Sequence, residues 1–395
     1  MIGKRTWDVV IIGAGMVGAA CAYYAAAAGL AVAVVDRGYV AGGTTGAGEG
    51  NLLVSDKQPG PELRLALLSL RLWRDLAQEL PGLLEYEPKG GLVVASSAAG
   101  MQALNGFAAE QRTCAVHAEE VPADRLRELE PHLAQGLAGG VFYPQDAQVQ
   151  PALAAARLLR HARRAGAELF LGTEVTALLR GPGGAVRGVR TARAGDLAGH
   201  AVVNAAGTWG GRIAELAAVA LPVLPRRGVV LVTEPLPPLV RHKVYAADYV
   251  ADVASEAAEL QSSAVVEGTA AGPVLVGASR ERVGFDRSPA PSVLRRLAAQ
   301  AVELFPVLSG VQVIRGYQGF RPYLPDHLPA IGPDPRAPGL FHACGHEGAG
   351  IGLAPATGLL LTQLLTGEPA ATDVTAFRPE RFADQDVPTP AQEDV

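Results

Sequence analysis

Cysteine is scarce in this 395-residue chain: only Cys21, Cys114 and Cys344 occur, and they form no C-x-x-C pair. This excludes a disulfide framework, a zinc knuckle and an iron–sulfur cluster built by the chain alone, and it fits a reducing cytoplasm. The eight histidines are scattered and form no H-E-x-x-H motif, so no metal site is expected. The net charge of −5 lacks the basic excess of proteins that bind nucleic acid or anionic membranes.

Glycine, in contrast, is abundant, with 47 residues, of which 11 lie within residues 1–50. The same region holds 27 uncharged residues between Asp8 and Asp36, which is long enough for a transmembrane span or a signal segment. The run divides, however, into a β-branched strand from Asp8 to Ile12, a glycine turn, a helix from Ala19 to Ala28 and a strand from Ala31 to Val35. We therefore predict a β-α-β unit and no transmembrane segment.

The turn between the first strand and the helix has G-x-G-x-x-G spacing. Gly13 permits the tight turn, Gly15 lets a pyrophosphate touch the backbone, and Gly18 allows the helix to pack closely on the strand. The helix N-terminus offers free N–H groups to the phosphates. Asp36, at the end of the second strand, is placed to accept hydrogen bonds from a ribose 2′-hydroxyl and to repel a 2′-phosphate. The sequence thus predicts a dinucleotide site.

Three further features decide between NAD and FAD. A second glycine-dense loop at 42–51 could wrap a pyrophosphate and a flavin ring, although by composition it could also be a flexible surface loop. An apolar strand from Ala201 ends in the small-residue turn before Trp209, and a third glycine cluster at 345–355 opens the last long helix. The dipole of that helix would favour electron density on a reduced flavin. Separate glycine sites converging on one ligand imply a large ligand, which favours FAD.

Together these segments resemble the D-amino-acid oxidase superfamily of FAD-dependent oxidoreductases, which includes glycine oxidase and sarcosine oxidase. The most specific segments of the resemblance are 13–36, 204–209, 319–326 and 345–358. Residues 277–286 and the run from Gly345 look most like the catalytic subunits of opine oxidase, hydrogen cyanide synthase and D-hydroxyproline dehydrogenase. Monomeric sarcosine oxidases attach flavin through a cysteine near the segment that corresponds to Arg321. Residues 316–325 of this chain contain no cysteine, so the resemblance implies non-covalent FAD.

The resemblance also implies which residues contact the cofactor. These residues lie in the glycine motif, at the end of the second strand, in the second glycine loop, on one central strand, in the turn before Trp209 and in the last glycine cluster. They are Gly13, Ala14, Gly15, Met16, Val17, Gly18, Asp36, Arg37, Thr44, Thr45, Gly48, Asn51, Val175, Ala206, Gly207, Trp209, Gly345, His346, Gly348, Gly350 and Ile351.

Substrate-binding residues are implied in the same way. Arg321 occupies the place of the arginine that grips the substrate carboxylate in glycine oxidases, although by residue type alone a structural ion pair is the alternative. The strand at 262–266 lacks the tyrosine that glycine oxidase-like enzymes carry there, which points to a different or larger substrate. Tyr245, Tyr249 and Tyr317 are candidate replacements, or else packing aromatics. His346 and Glu347 border the flavin loop and could contact the amine or the ring, or cap a helix.

The segments that bind the cofactor come from the beginning, middle and end of the chain, so we expect a discontinuous α/β fold. A Rossmann-like FAD-binding domain comprises residues 1–85, 145–220 and 321–378, an α+β, mainly antiparallel substrate-binding domain comprises 86–144 and 221–320, and 379–395 form a tail. The expected activity is oxidation of a small amino acid or secondary-amine amino acid by hydride transfer to flavin N5. Orientation is the protein's main task, and no strong enzymic base is essential.

The sequence leaves the partners open. One reading is a homo-oligomer that acts alone, and the other is a flavin-binding subunit of a dye-linked dehydrogenase that is active only with an iron–sulfur partner. In the second case the partner must supply the cysteines, because this chain has too few.

Overall fold

The computed structural model of the protein describes residues 5–247, 260–288 and 290–383. The strands are β1 Thr6–Ile12, β2 Val32–Val35, β3 Asn51–Leu52, β4 Gly91–Ala95, β5 Glu119–Pro122, β6 Gly139–Tyr143, β7 Ala147–Gln148, β8 Glu168–Phe170, β9 Val175–Arg180, β10 Val186–Thr191, β11 Gly195–Asn204, β12 Leu224–Pro235, β13 Lys243–Ala246, β14 Gln261–Gly268, β15 Pro273–Arg280, β16 Val313–Tyr323, β17 Ala330–Pro333 and β18 Leu340–Cys344. The helices are α1 Met16–Ala27, α2 Pro61–Glu79, α3 Ala98–Arg112, α4 Leu126–Leu129, α5 Pro151–Arg164, α6 Gly210–Glu215, α7 Pro291–Leu304 and α8 Gly350–Thr366.

The first sheet is built around β1 and has the order β17-β18-β11-β1-β2-β8. The pairs β1–β11, β1–β2, β2–β8 and β11–β18 are parallel, while β9 and β10 extend the sheet from β11 in antiparallel fashion. The β1-α1-β2 unit confirms the β-α-β prediction and accounts for the uncharged run.

The first helix begins earlier than the sequence predicted. It starts at Met16, directly after Gly15, and not at Ala19. Gly18 therefore lies in the first helical turn, where a Cβ atom would stand 2.0 Å from the carbonyl oxygen of Gly13. The glycine motif thus serves as the turn and also as the contact between the helix and the strand end.

The second sheet has the order β16-β12-β15-β14-β13-β4-β6-β5 and is antiparallel except for the pair β13–β4. Helix α7 packs on it through Val293, Leu297 and Ala301, which are buried with the apolar side chains of the sheet. The predicted mainly antiparallel region is therefore confirmed. The strands of the first sheet come from 6–35, 168–204 and 330–344, and those of the second from 91–143 and 224–323. Because β16 crosses the boundary placed at 321, the domain limits remain predictions.

Helices α1, α2 and α8 form a layer beside the first sheet. The segment Glu347–Thr366 has a mean hydropathy of 1.4 and is long and apolar enough to cross a membrane, yet half of its apolar window is buried inside the protein. Core helices of soluble proteins have the same property, so this segment is weak support for a membrane span.

Helix α8 contains Pro355, which has no N–H group for the carbonyl of Ile351. The indole Nε1 of Trp73 in α2 donates to the carbonyl oxygens of Ile351 and Gly352, at 3.2 and 3.1 Å. The amide of Ala356 in turn donates to Ser69 Oγ, 3.2 Å away. Two side chains of α2 thus satisfy backbone groups that the proline leaves unpaired, and this keeps α8 continuous behind the site.

Candidate active site

A cavity of about 480 Å³ lies between the two sheets. Its walls include residues from all three glycine segments and from the second sheet. Of the residues predicted to contact the cofactor, those on the wall are Gly13, Gly15, Met16, Val17, Asp36, Arg37, Thr44, Thr45, Gly48, Asn51, Val175, Ala206, Gly207, Trp209, His346, Gly348, Gly350 and Ile351. The fold therefore brings together segments that are more than 300 positions apart in the chain.

Three of the predicted residues are not on the wall of the cavity. Ala14 donates its amide to Asp36 Oδ2 at 2.7 Å, and Gly18 packs against Gly13. Gly345 has a φ of +80° at the end of β18, and a Cβ there would stand 2.1 Å from Leu324 Cδ1. These residues shape the backbone around the cavity.

The N-terminus of α1 opens onto the cavity at Gly15. Thr45 from the second glycine loop accepts a hydrogen bond from the amide of Met16, with 2.9 Å between N and Oγ1. A Cβ at Gly15 would stand 3.2 Å from that same Oγ1, a tight contact, so glycine leaves the most space at this corner of the cavity. The free amides of a helix N-terminus next to bare backbone suit a pyrophosphate.

Asp36 is fixed by two backbone amides. Its Oδ2 accepts from Ala14 and its Oδ1 from Gly38, both at 2.7 Å. Each carboxylate oxygen keeps a second lone pair that can accept a ribose hydroxyl. Beside it, the guanidinium carbon of Arg37 lies 4.0 Å from the centroid of the Trp209 ring, which forms this end of the cavity.

The turn that carries Trp209 is held by a chain of buried polar side chains. Asn204 Nδ2 donates to the carbonyl of Gly210 at 2.7 Å and to His342 Nδ1 at 3.2 Å. His342 Nε2 then donates to Asp334 Oδ2, 3.2 Å away. Burial lowers the pKa of His342, so the imidazole is neutral with its proton on Nε2. This chain ties the ends of β11 and β18 together beneath the cavity.

Arg321 lies on the cavity wall contributed by the second sheet. The carbonyl of the preceding residue, Phe320, accepts hydrogen bonds from the hydroxyls of Thr44 and Thr208, which fixes the strand against the cofactor loops. The Arg321 Nη1 donates to the carbonyl of Ser279 at 2.7 Å. A Cβ at Gly228 on the neighbouring strand would stand 2.1 Å from Nη1, so this glycine makes room for the guanidinium.

The other predicted substrate-binding residues are placed differently. His346 is 3% exposed, and its Nε2 donates to Thr357 Oγ1 at 2.9 Å, because that hydroxyl itself donates to the carbonyl of Leu353. Burial lowers the pKa of His346 to about 3, so the ring on the cavity wall is neutral. The Tyr317 hydroxyl donates to the carbonyl of Gly48 at 3.2 Å, and Tyr249 lies outside the described residues.

A second cavity, of about 260 Å³, adjoins the first and shares Asn51, His346, Glu347 and Gly348 with it. Glu347 at this junction is bound by Arg226 and His327, with 2.5 Å from Arg226 Nη1 to Oε1 and 2.9 Å from His327 Nδ1 to Oε2. Although burial raises the pKa of Glu347, these two partners hold it at about 2. Glu347 at the junction is therefore ionised at neutral pH, and its negative charge is balanced by the partners that bind it.

Sequence reasoning missed a buried carboxyl group on the main cavity wall, that of Glu49. Its side chain is 7% exposed, and it packs against Gly277 of β15. One signal was available: Glu49 is the only charged residue between Arg37 and Asp56, and it lies between two glycines.

Comparison with known proteins now decides the family. The family model described as "DAO: FAD dependent oxidoreductase" matches residues 8–364. The chain belongs to this family. It is 31% identical to the hydrogen cyanide synthase subunit HcnC of Pseudomonas aeruginosa, with 96% of this chain and 97% of that one covered. The fold is similar to that of glycine oxidase from Geobacillus kaustophilus (TM-score 0.86, 29% identity, 96% and 99% covered) and iminodiacetate oxidase from Chelativorans sp. (0.82, 26%, 94% and 98%).

Membership confirms FAD as the cofactor and an oxidoreductase acting on CH–NH groups of amino compounds as the enzyme class. The site fits FAD by its own geometry, because the bare backbone at Gly15 would accommodate a pyrophosphate and the Asp36 carboxylate could accept hydrogen bonds from a ribose. Cys344 is also on the wall, where burial raises the pKa of its thiol to about 12, so it is not a reactive thiolate.

Proposed function

We propose that the protein oxidises a small amino acid or a secondary-amine amino acid, of the glycine, sarcosine, D-proline, D-hydroxyproline or opine type, to an imine or 2-oxo acid. The observation that carries this proposal is the position of Arg321 on the cavity wall beside the last glycine loop, where a Cβ on Gly348 would stand 3.4 Å from its side chain. Relatives named glycine oxidase and a structural neighbour named iminodiacetate oxidase support the substrate class.

In this proposal the guanidinium of Arg321 binds the substrate carboxylate and so turns Cα toward the flavin. Bound FAD supplies the two-electron acceptor that receives the hydride from Cα. His346, neutral and fixed by Thr357, serves as a wall of the cavity at this point and carries no charge toward the substrate. Tyr317 supports the loop at Gly48 from behind, and a role for Tyr249 stays a prediction.

The proposal is tested by anaerobic titration of the holoenzyme with glycine, sarcosine, D-proline, D-hydroxyproline, D-alanine and an opine. At least one of them should bleach the oxidised flavin absorbance. Arg321→Ala should retain FAD, yet kcat/KM for that substrate should fall about 100-fold or more, because a charge-assisted bidentate contact is lost. Bleaching by none of the six compounds would remove the amino-acid assignment.

A second candidate function is that of a flavin-binding subunit that works only within a larger electron-transfer assembly. It is favoured by the similarity to HcnC, which is named as a subunit of hydrogen cyanide synthase. Within the described residues no cluster of three or more potential metal ligands occurs, so any iron–sulfur centre would come from a partner. Purified chain that consumes O₂ and releases H₂O₂ with its substrate needs no partner, whereas turnover only with an artificial dye favours the subunit.

A further inference from the structure

Glu49 is a buried carboxyl group on the cavity wall, and one of its oxygens has no hydrogen-bond partner among the described residues. Its side chain is 7% exposed and lines the main cavity. Its Oε1 is fully buried and has no hydrogen-bond partner among the described residues. A buried carboxylate oxygen with no donor costs several times the free energy of an ordinary lost hydrogen bond, so such a group calls for a ligand that brings donors.

The position of this carboxyl group is fixed by the second sheet. A Cβ on Gly277 would stand 2.7 to 2.8 Å from Cδ and both oxygens of Glu49, so only a glycine there lets the group reach its place. In the same sheet β16, which is separated from β15 by β12, carries Arg321 on the same cavity wall. A substrate held by Arg321 through its carboxylate therefore has Glu49 available for its other polar group.

The charged surroundings of Glu49 come from four strands of the second sheet. Burial raises the pKa of Glu49, and the negative charge of Glu267 raises it further. The positive charges of Lys243, Arg321 and Arg280 act in the opposite direction and lower it. Lys243 and Glu267 are ion-paired to each other, which largely cancels their effect. The titratable and charged groups facing Glu49 are thus Lys243 on β13, Glu267 on β14, Arg280 on β15, and Tyr317 and Arg321 on β16.

We propose that Glu49 binds the substrate's amine and accepts one proton from its ammonium form while Arg321 holds the carboxylate. This rests on the proposed function. In the step, an N–H bond of the ammonium breaks, an O–H bond forms on a Glu49 carboxylate oxygen, and no electrons are transferred between substrate and protein. The product is a neutral amine, whose lone pair can support the loss of hydride from Cα. A carboxylate acts here more effectively than bulk water because it is held in place beside the amine.

The first test measures binding and needs no turnover. The probes are 2-aminoisobutyrate, which has an amine but no Cα–H to lose, and 2-methylpropanoate, which lacks the amine. Both are titrated into holoenzyme at pH 7 and followed by the flavin absorbance. Glu49→Gln should weaken binding of the amine probe about 10-fold or more and leave the deaminated probe within about 2-fold, because a charge-assisted contact to the amine is lost. Glu120→Gln, an exposed carboxylate on β5, is the control and should change neither constant.

The second test is the pH profile of kcat/KM with the substrate that bleaches the flavin. In the wild type kcat/KM should fall as pH drops through the pKa of Glu49, because only the carboxylate accepts the proton. In Glu49→Gln this acidic limb should move up to the pKa of the free substrate amine, and kcat/KM at pH 7 should fall about 100-fold. If Glu49→Gln does not bind FAD, Glu49→Asp is used in its place. This variant should show the same fall of kcat/KM at acidic pH as the wild type, and it should bind the amine probe more weakly than the wild type does.

An unchanged pH profile together with unchanged affinity for both probes in Glu49→Gln would overturn the role of Glu49 and leave the proposed function standing. Failure of the proposed function has another signature: no amino acid bleaches the wild-type flavin and the wild type does not distinguish the two probes. That result would overturn both.

Discussion

Glu347 shows how a single residue gains its properties from partners that are far away in the chain. Arg226, fully buried on β12, and His327 both bind its carboxylate, and they lie 121 and 20 positions away. Nothing in the local sequence of the last glycine loop indicates this pairing. The ion pair is buried, so removing one charge leaves the other without compensation.

We predict that Glu347→Gln lowers the free energy of unfolding at pH 7 by about 3 kcal/mol, the usual cost of breaking a buried pair. The folded-state pKa of about 2 lies below the unfolded value near 4.3, so the stabilisation is complete above pH of about 4.3 and is lost as pH falls toward 2. The difference between wild type and variant, measured by urea unfolding with excess FAD, should therefore shrink from pH 5 to pH 3.

The matched control is Glu128→Gln. Glu128 pairs with Arg125 at the surface, where both side chains are at least 60% exposed, and an exposed pair contributes at most about 1 kcal/mol. Equal losses in the two variants at pH 7 would contradict the buried-pair account.

At the scale of elements, the N-termini of α1 and α8 both lie at the main cavity, and the two helices pack against each other. Gly358 of α8 lies directly against the backbone of α1, where a Cβ would stand 2.7 Å from the carbonyl carbon and oxygen of Ala20. Backbone atoms cannot move aside as a flexible side chain can, so even one methyl group must push the helices apart.

We predict that Gly358→Ala lowers the free energy of unfolding by about 1 to 3 kcal/mol, despite the better helix propensity of alanine. Gly106, in the exposed part of α3, has no atom within 4 Å of a built Cβ, so Gly106→Ala should be neutral or stabilise by up to about 1 kcal/mol. Thermal unfolding of both variants followed by circular dichroism checks this, and a stabilised Gly358→Ala protein would show that the helices have room.

At the scale of the whole molecule, FAD is a structural link as well as a cofactor. The cavity wall takes residues from the first sheet and its loops and from Gly228, Val230 and Gly319 of the second sheet. A ligand that contacts both sheets binds the folded protein and not the unfolded chain, so it stabilises the fold by mass action.

We predict that the unfolding temperature of the chain rises with the logarithm of free FAD concentration, with about 2.7 kcal/mol gained at 100 times the dissociation constant. ADP, which lacks the flavin and so offers less contact area, should give a smaller shift at the same concentration. Differential scanning fluorimetry across a series of concentrations measures both ligands. An unfolding temperature that does not change with FAD concentration would contradict the prediction that FAD binding stabilises the fold.

What the sequence determined by itself is the β1-α1-β2 unit, the glycine motif and the FAD cofactor. The β1-α1-β2 unit and the glycine motif depend on neighbours within about thirty positions, where the hydrophobic period and the glycine spacing are visible. The prediction of FAD instead used three glycine segments spread along the chain, and the start of α1 was placed three residues late. The antiparallel character of the second sheet was also predictable from its strand-forming runs.

What only the tertiary structure decided is which distant side chains meet. Glu49 lies against Gly277, Arg226 binds Glu347, and Trp73 satisfies the carbonyls that Pro355 leaves unpaired in α8. Each of these contacts joins residues more than 100 positions apart, and the burial that shifts the pKa values of Glu49 and Glu347 exists only after both sheets have packed. Local sequence sets the elements, whereas charge and substrate contacts in the cavity arise from their packing.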